Sequence, residues 1–173
     1  MRVGLGYDSH RFEQGRRLVL GGVTIPDHAG LAGHSDGDAV AHALIDALLG
    51  AAGDGDIGSH FPPTDVRWKD ADSMDLLRRA VTILEGRNYQ VVNVDVTVIC
   101  ETPKIGPHAA AMRARLGALL GVGPDAVSVK GKTNEKMGWI GAGEGLAVHA
   151  VALVDTIREP AELAGGAGGV LAL

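Results

Sequence analysis

Apolar residues recur with two different spacings along the chain, and each spacing predicts a type of element. Over residues 91–101 apolar and polar side chains alternate, which predicts a strand whose buried face carries Val92, Val94, Val96, Val98 and Cys100. Over residues 37–52 and 73–86 apolar residues return every three or four positions, which predicts two amphipathic helices. A third helix is predicted over 106–120, and further strands over 2–7, 126–132 and 145–154, together with a strand region over 17–25 that is broken by Gly21-Gly22.

The order of these elements, β-β-α-α-β-α-β-β, predicts the fold class. It is neither a strict βα repeat nor a run of strands alone, so we expect a single-domain α+β fold with a mixed β-sheet and helices on one face. Asp36 is the expected N-cap of the first helix, and Gly53 is expected to end that helix. We expect the domain to span residues 1–158 and the Gly- and Ala-rich residues 159–173 to form a mobile tail.

Composition and charge argue against several classes of protein. With 173 residues, of which 46% are hydrophobic, the chain can bury a core of ordinary size. A net charge of −5 argues against nonspecific binding of nucleic acid, but not against binding of a small anionic ligand. Cys100 is the single cysteine, and the sequence has no signal-peptide pattern and no apolar run long enough to cross a bilayer. We therefore expect a cytoplasmic protein without a membrane partner.

One acid and two histidines form a candidate metal site. Asp8 and His10 come just after the first predicted strand, two residues apart, so on an extended chain both side chains point the same way. His42 lies in the first predicted helix, with Asp38 and Asp46 four residues to either side. One carboxylate and two imidazoles suit zinc with an open fourth position, and Asp38 or Asp46 could orient the His42 ring. From spacing alone, ordinary polar residues at the surface explain the same pattern.

Two further segments carry residues suited to phosphate. His34-Ser35-Asp36-Gly37-Asp38 precedes the first helix, whose N-terminus attracts anions, although Ser and Asp also serve there as caps. Residues 130–135, KGKTNE, suit a diphosphate with Mg²⁺ or Mn²⁺, but taken alone a polar hairpin loop is the simpler interpretation. Residues 141–145, GAGEG, lack the Lys-Ser/Thr ending of a P-loop, so we reject a P-loop there.

Four stretches, in this order and spacing, are more specific than any single motif: GYDSHRF, AGHSDGDAVAHALIDALLGAAGDGDIGSHFPPTD, NVDVTVICETPKIGPH and KGKTNEKMGWIGAGEGLA. Together they closely resemble the 2-C-methyl-D-erythritol 2,4-cyclodiphosphate synthase family over about residues 1–155. The resemblance implies a homotrimer with its sheets around the threefold axis and its active sites between subunits. It also implies a cyclising phosphorus-oxygen lyase of the non-mevalonate isoprenoid pathway. Such an enzyme converts 4-diphosphocytidyl-2-C-methyl-D-erythritol 2-phosphate to the cyclic diphosphate, with release of CMP, by attack of the 2-phosphate.

The resemblance also implies roles for individual residues. Asp8, His10 and His42 would hold Zn²⁺, and Glu135 would bind a second divalent cation, Mg²⁺ or Mn²⁺. His34 and Thr133 would be the catalytic residues that stabilise the transition state. Residues 56–58 would contact the methylerythritol, and residues 100–106 with 132–135 the cytidine diphosphate. The full set expected to bind substrate is Asp8, Ser9, His10, His34, Ser35, Asp56, Ile57, Gly58, Phe61, Pro62, Pro63, Thr64, Asp65, Cys100, Glu101, Thr102, Pro103, Lys104, Ile105, Gly106, Lys132, Thr133, Asn134, Glu135 and Trp139.

One departure from the family pattern concerns a cavity that the resemblance places on the threefold axis. Family members usually have an aromatic residue at 139, an arginine at 142 and often a glutamate at 149, whereas this chain has Trp139, Ala142 and His149. Ala142 removes the cation that would meet a diphosphate, so we expect isoprenoid diphosphates to bind there weakly. Three copies of His149 would partly replace that cation if they were protonated.

Two rival functions are considered beside the cyclising enzyme. A zinc-dependent nucleotide-diphosphate phosphodiesterase would need an activated water and therefore a base near the metal, for which Asp38 or Asp46 is the nearby candidate. A non-enzymatic trimeric ligand-binding protein would need no zinc. Product analysis with the cytidylyl substrate separates the two enzymes, because a hydrolase gives a linear bisphosphate and the cyclase gives a ring.

Overall fold

The computed structural model describes residues 1–157, which form a five-stranded sheet, a short hairpin and five helices. The strands are β1 (Arg2–Glu13), β2 (Leu18–Leu20), β3 (Val23–Ile25), β4 (Gly30–Leu31), β5 (Tyr89–Ile99), β6 (Val127–Lys132) and β7 (Gly145–Thr156). The helices are α1 (Ala39–Ala52), α2 (Ile57–His60), α3 (Ser73–Gly86), α4 (Gly106–Leu120) and α5 (Gly138–Gly141). Short 3-10 turns cover Val66–Trp68 and Pro124–Ala126. The tail expected at 159–173 and the domain limit expected at 158 lie outside the described residues.

The sheet is mixed and has the strand order β4-β1-β7-β5-β6. Strands β5 and β6 are parallel, with α4 as the crossover between them, whereas the other pairs are antiparallel. Helices α1, α3 and α4 pack on one face of this sheet, where Val94, Val96 and Val98 of β5 and Val148 and Val154 of β7 are buried. The predicted α+β class, with a mixed sheet and helices on one face, is confirmed.

Two glycines of β1 let α1 lie directly on the strand. A Cβ atom at Gly4 would be 1.9 Å from the Ala47 carbonyl oxygen, and one at Gly6 would be 1.8 Å from that of Ala43. No side chain can occupy such a space, so glycine is required at both positions. The close approach sets His42, on α1, beside the residues of β1 that follow Gly6.

Strand β1 is longer than its apolar pattern predicts. The prediction ended the strand at residue 7, but its pairing with β7 continues from Arg2↔Val154 to Arg11↔Gly145. The ladder hydrogen bonds of β7 hold polar residues in the strand that local hydrophobicity does not. Asp8 and His10 are therefore inside β1 rather than past its end, and they still share one face because they are two residues apart.

A β-bulge corrects the predicted facing of β5. The register with β7 shifts between Val91 and Asn93, so Val91 is buried while Val92 is 40% exposed. Alternation alone placed Val92 on the buried face with Val94, Val96, Val98 and Cys100, and it was wrong for that one residue. The extra residue of a bulge reverses the facing on one side of it, and period-two reasoning cannot detect this.

The N-cap of α1 is Asp38, not Asp36 as the sequence predicted. The Asp38 carboxylate accepts hydrogen bonds from the backbone N–H groups of Val40 and Ala41, both at 3.1 Å. It also accepts from Gly21 at 2.8 Å and Gly22 at 2.7 Å, at the turn of the β2-β3 hairpin. Gly53 ends α1 in the left-handed conformation, as predicted.

Candidate metal centre and active site

Asp8, His10 and His42 meet where β1 lies against α1. The Asp8 Oδ2 atom is 2.9 Å from His10 Nε2 and 3.0 Å from His42 Nδ1, and these two nitrogens are 3.3 Å apart. The three side chains are partly exposed and lie within reach of solvent. Within residues 1–157 they form a cluster of three potential metal ligands, as the sequence predicted.

The triangle of ligand atoms fits a tetrahedral ion. Bonds of about 2.0–2.1 Å to nitrogen and oxygen in tetrahedral geometry place neighbouring ligand atoms about 3.3 Å apart. The observed separations of 2.9–3.3 Å are close to that value. The donor set of two imidazoles and one carboxylate suits zinc, and three protein ligands leave a fourth position open.

The outer nitrogen of each histidine ring is held by a group outside the triangle. His10 Nδ1 lies 2.5 Å from the Ala32 carbonyl oxygen, to which it can only donate. His42 Nε2 lies 2.9 Å from Ser73 Oγ and 3.0 Å from Ser35 Oγ. Such outer contacts fix the tautomer of a ligand histidine and leave its other nitrogen free to bind a metal.

The predicted roles of Asp38 and Asp46 as partners of the His42 ring are wrong. The buried Asp38 carboxylate accepts hydrogen bonds from four backbone N–H groups, two at the start of α1 and two in the hairpin turn. The Asp46 carboxylate accepts from the Ile57 N–H at 2.8 Å and so holds the start of α2. Both residues lie on the same face of α1 as His42, but their carboxylates accept hydrogen bonds from backbone N–H groups instead of contacting the His42 ring.

Electrostatics of the triangle favour an ionised carboxylate. Burial alone would raise the pKa of Asp8, but hydrogen bonds and charge interactions with His10 and His42 outweigh it and lower the pKa to about 2. Burial likewise would lower the pKa of His10, but the hydrogen bond and the charge of Asp8 raise it above its usual range. A divalent cation would take the place of those protons.

Of the residues expected to contact the reacting phosphates, His34 and Ser35 lie beside the triangle, but Thr133 does not. Ser35 is buried and touches His42, while the neighbouring His34 is exposed. Two backbone hydrogen bonds tie this segment to the loop before α3: Asp70 N–H to His34 O at 2.8 Å, and Asp36 N–H to Ala71 O at 3.1 Å. Thr133, the second expected catalytic residue, is in another part of the same protomer.

Residues 56–58 lie close to the triangle through α1. Asp56 caps α2 by accepting from the Ser59 N–H at 2.8 Å, and these Ser59 contacts lower the pKa of Asp56. Burial raises the pKa of Asp46, and the nearby charges of Asp56 and Asp8 raise it further. Asp46 is therefore close enough to Asp8, His42 and Asp56 to interact with the charge of each.

The loop over residues 61–65 is anchored by its ends. Phe61 is 8% exposed and packs edge-on against Trp68, with ring centroids 5.2 Å apart. Asp65 forms an ion pair with Arg67. Pro63 and Thr64 are exposed between these anchors, next to the half-buried Pro62.

A cavity of about 310 Å³ brings together the two segments expected to bind cytidine diphosphate. Its lining residues are Cys100, Glu101, Pro103, Lys104, Ile105, Gly106, Gly131, Lys132 and Thr133. The Thr102-Pro103 peptide bond is cis. Gly131 allows the close packing, because a Cβ atom there would lie 2.9 Å from that of Ile105.

The turn after β6 places Glu135 at the edge of this cavity. Thr133 donates its hydroxyl proton to Glu135 Oε1 at 2.8 Å. Glu101 holds the turn by accepting from the N–H groups of Asn134 at 3.0 Å and Lys136 at 3.1 Å. Glu135 is exposed and has a φ of 52°, so its carboxylate is held in a strained turn at the surface.

The cavity and the triangle are separate within one protomer. Ser9 pairs with Ala147, Ala147 with Ile99, and Ile99 with Lys132. Three strand spacings amount to about 14 Å across the sheet. One protomer therefore brings its expected metal ligands together, and separately its expected cytidine-binding residues, but it does not bring these two groups into contact.

Trp139 lies near His10, which is one of the three residues of the triangle. It lines a cavity of about 380 Å³ with Ser9, His10, Arg11 and Glu144. The His149 ring lies tilted against that of Tyr7, with ring centroids 5.0 Å apart, on the sheet face that carries no helix. Ala142 is exposed at the end of α5.

Ser73 is the site residue that sequence reasoning missed. It is fully buried, and its hydroxyl contacts His42, Ser35 and Asp36. The sequence offered one signal, a hydroxyl at the start of a predicted helix, and such residues usually act as caps. Its distance of 31 residues from His42 gave no reason to pair the two.

Comparison with known proteins gives consistent results. Residues 1–155 match the model of the YgbB family. The 2-C-methyl-D-erythritol 2,4-cyclodiphosphate synthase of Symbiobacterium thermophilum is 60% identical over 154 residues, which are 89% of this chain and 98% of that protein. No helix within residues 1–157 is long and apolar enough to span a bilayer.

Solved structures have the same fold. A 2C-methyl-D-erythritol-2,4-cyclodiphosphate synthase in a form bound to CDP has 42% identity and a TM-score of 0.82, covering 89% of this chain and 100% of that one. The bifunctional IspDF of Campylobacter jejuni has 40% identity and a TM-score of 0.87, covering 90% of this chain but 42% of that longer one. The chain therefore belongs to the YgbB family, together with proteins named 2-C-methyl-D-erythritol 2,4-cyclodiphosphate synthase.

Proposed function

We propose that the protein converts 4-diphosphocytidyl-2-C-methyl-D-erythritol 2-phosphate to 2-C-methyl-D-erythritol 2,4-cyclodiphosphate and CMP. The observation that carries this proposal is the Asp8–His10–His42 triangle in a chain of this family. The relatives with this name support the substrate and the place in isoprenoid precursor synthesis. The cyclising reaction needs a site that holds two phosphates close together and neutralises their charge.

The reaction makes one phosphorus–oxygen bond and breaks another. An oxygen of the 2-phosphate attacks the phosphorus attached to the methylerythritol, and the bond from that phosphorus to the CMP oxygen breaks. The nucleophile is already an anion, so no general base is required. Catalysis therefore depends on orientation and on charge stabilisation at the phosphates.

The residues of the triangle supply the metal site of this proposal. Asp8, His10 and His42 would hold Zn²⁺, and Glu135 with its exposed carboxylate would bind Mg²⁺ or Mn²⁺ at the diphosphate. Bound zinc would supply a Lewis acid that polarises a phosphoryl oxygen. His34 and Ser35, beside the triangle, would hold the attacking phosphate, and Thr133 would stabilise the transition state at the phosphate that loses CMP.

The cavity lined by residues 100–106 and 131–133 would take the cytidine diphosphate. Its size and the ammonium groups of Lys104 and Lys132 suit a nucleotide. A related structure bound to CDP supports the same ligand class. Residues 56–58 would contact the methylerythritol hydroxyls, with residues 61–65 flanking them.

A homotrimer completes the proposed site. The helix-free face of the sheet exposes Val3 by 67%, Leu5 by 68%, Tyr7 by 50% and Val151 by 40% on the neighbouring strands β1 and β7. An apolar patch on adjacent strands is typical of a protein interface. Contact with a second copy would also bring one copy's triangle to the other copy's cytidine cavity, which lie about 14 Å apart within a protomer.

The structure does not favour the phosphodiesterase alternative. Hydrolysis needs a base close to the metal, and the two acids considered for that role, Asp38 and Asp46, are both committed to backbone donors. The cytoplasmic location and the absence of a nucleic-acid partner stay predictions from the sequence.

Incubation of the zinc-loaded protein with the cytidylyl substrate tests the proposal. Phosphorus NMR should detect the cyclic diphosphate and CMP, whereas a linear bisphosphate would show hydrolysis and contradict the cyclase. His42→Ala should lose bound zinc and reduce turnover more than about 100-fold, since removal of a ligand costs more than removal of an outer partner. His108→Ala, on α4 and outside both cavities, is the control and should retain zinc and turnover.

A further inference from the structure

Ser73, a buried residue with no role in the function proposed above, contacts His42 of the candidate metal centre at the ring nitrogen that does not face Asp8 and His10. Its side chain is fully buried at the first residue of α3, and its hydroxyl is 2.9 Å from His42 Nε2. Buried hydroxyls are costly unless they are hydrogen-bonded, so the partners of Ser73 determine what the group can do.

The hydroxyl of Ser73 belongs to a chain of hydrogen bonds that begins at a carboxylate. Ser73 Oγ donates its proton to Asp36 Oδ1, and the Asp36 carboxylate also accepts from the backbone N–H of Ser73 at 3.3 Å and of Asp38 at 3.1 Å. Ser35 Oγ lies 3.1 Å from Ser73 Oγ and accepts from the Gly37 N–H at 3.2 Å. Each of these groups is therefore linked to Ser73 by one or two bonds.

Counting protons gives the direction of every bond in this network. A serine hydroxyl has one proton, and the Ser73 proton is directed to the carboxylate of Asp36, the strongest acceptor within reach. Ser35 can then donate its own proton to Ser73. Both hydroxyl oxygens face His42 with lone pairs alone, so the Nε2 atom of His42 must carry a proton, and Nδ1, which faces Asp8, is the nitrogen that would bind a metal.

The network is not needed to cap α3. Asp72 caps that helix by accepting from the Met74 N–H at 2.8 Å. Asp36, which the sequence predicted as the cap of α1, is likewise free of that task because Asp38 performs it. Two residues that resemble caps in the sequence thus have their side chains directed at each other and at His42.

We propose that Ser73, oriented by Asp36, is a positioning residue that fixes the His42 ring with Nδ1 directed at the metal. The inference rests on the zinc site of the proposed function and goes beyond it, because neither residue touches the metal or the substrate. When the N–H of a ligand histidine donates to an acceptor outside the metal site, the ring is held in one tautomer and one orientation. Its other nitrogen then binds the metal more strongly.

The test is the zinc dissociation constant of the resting protein at fixed pH, measured by competition with a chelator and without substrate. Ser73→Ala removes one of the two hydroxyl acceptors of His42 Nε2 and frees the Ser35 proton, no longer donated to Ser73, to turn toward Nε2. It should therefore raise this constant about 10- to 100-fold. Asp72→Ala is the matched control, because it also weakens the start of α3 but leaves His42 untouched, and it should leave the constant within about twofold. Ser73→Thr, which keeps the hydroxyl, should restore most of the affinity.

Asp36→Ala gives a second and independent measurement. It frees the Ser73 proton to point at His42, so it should weaken zinc binding about tenfold, and combined with Ser73→Ala it should add little, since the two residues act as one unit. If Ser73→Ala does not fold, the zinc dissociation constant of Asp36→Ala decides whether the inference holds. Zinc affinity within about twofold of the native chain in either folded variant overturns the inference.

The failure of this inference and that of the proposed function give different results. A native chain that binds zinc and forms the cyclic product, with unchanged affinity in Ser73→Ala, contradicts the positioning role alone. A native chain that binds no zinc contradicts both the metal centre and the positioning role. Equal losses in Ser73→Ala and Asp72→Ala would assign the effect to the helix start and would also overturn the inference.

Discussion

Replacing Gly6 with alanine should separate β1 from α1 and disrupt the metal centre. Gly6 lies two residues before Asp8 on β1, and it faces the backbone of α1 one residue after His42. The added Cβ atom would be 1.8 Å from the Ala43 carbonyl oxygen and 2.9 Å from the Ala47 nitrogen. Both neighbours are backbone atoms inside a helix, so neither can rotate away.

The size of the effect follows from these distances. Real Cβ atoms stay beyond 3.0 Å, so strand and helix must move apart by about 1.2 Å. A metal site tolerates errors of about 0.2 Å in its bonds, so Asp8 and His10 cannot keep their positions relative to His42. We expect a loss of about 3 kcal/mol in unfolding free energy and a rise of more than about 100-fold in the zinc dissociation constant.

Chelator competition and urea unfolding measure the two effects on the same samples. Gly50→Ala is the matched control, because Gly50 is an exposed glycine of α1 with no atom within 4 Å of an added Cβ. That change should stabilise the helix by up to about 1 kcal/mol and leave zinc binding unchanged. Native zinc affinity in Gly6→Ala would refute the reasoning that the strand–helix contact sets the ligand triangle.

Three further predictions concern other parts of the molecule. Burial and, to a lesser extent, the charge of Glu101 raise the pKa of the Cys100 thiol from 9.0 to about 11. At pH 8, iodoacetamide should therefore alkylate Cys100 about 100-fold more slowly in the folded protein than in urea, and equal rates would contradict the burial. Asp38→Ala should lower the unfolding free energy by about 3 kcal/mol, against about 1 kcal/mol for Asp72→Ala, because four backbone N–H groups lose the buried carboxylate that accepts from them; similar losses in urea unfolding would refute this. Ala142→Arg should bind geranyl diphosphate about tenfold more tightly than the native chain in calorimetry, and equal affinity would show that residue 142 does not meet the diphosphate.

The fold was predictable because its elements have strong local patterns. The helices over 37–52, 73–86 and 106–120 and the strands over 126–132 and 145–154 lie within about two residues of their predicted limits. The errors occurred where pairing overrides hydrophobicity. The ladder with β7 lengthens β1, and a bulge turns Val92 outward.

The ligands of the candidate site were predictable, but their surroundings were not. Asp8 and His10 share a face in any extended chain, so their alignment follows from spacing. The partners of His42 follow from the way in which β1, the segment before α1 and the start of α3 meet, whereas proximity in sequence pointed to Asp38 and Asp46. A buried carboxylate bonds to whichever backbone donors the fold brings to it, and these come from the turn at Gly21 and from Ile57.

The sequence by itself determined the elements, the family and the residue types that carry chemistry, because these depend on composition and on short spacings. Only the tertiary structure decided which residues meet: His42 with Asp8 through the glycines of β1, and Ser73 with His42 across 31 residues. It also separated the triangle from the cytidine cavity by two strands of the sheet. The physical reason is that spacing fixes directions along one element, whereas distances between elements depend on how closely their backbones can pack.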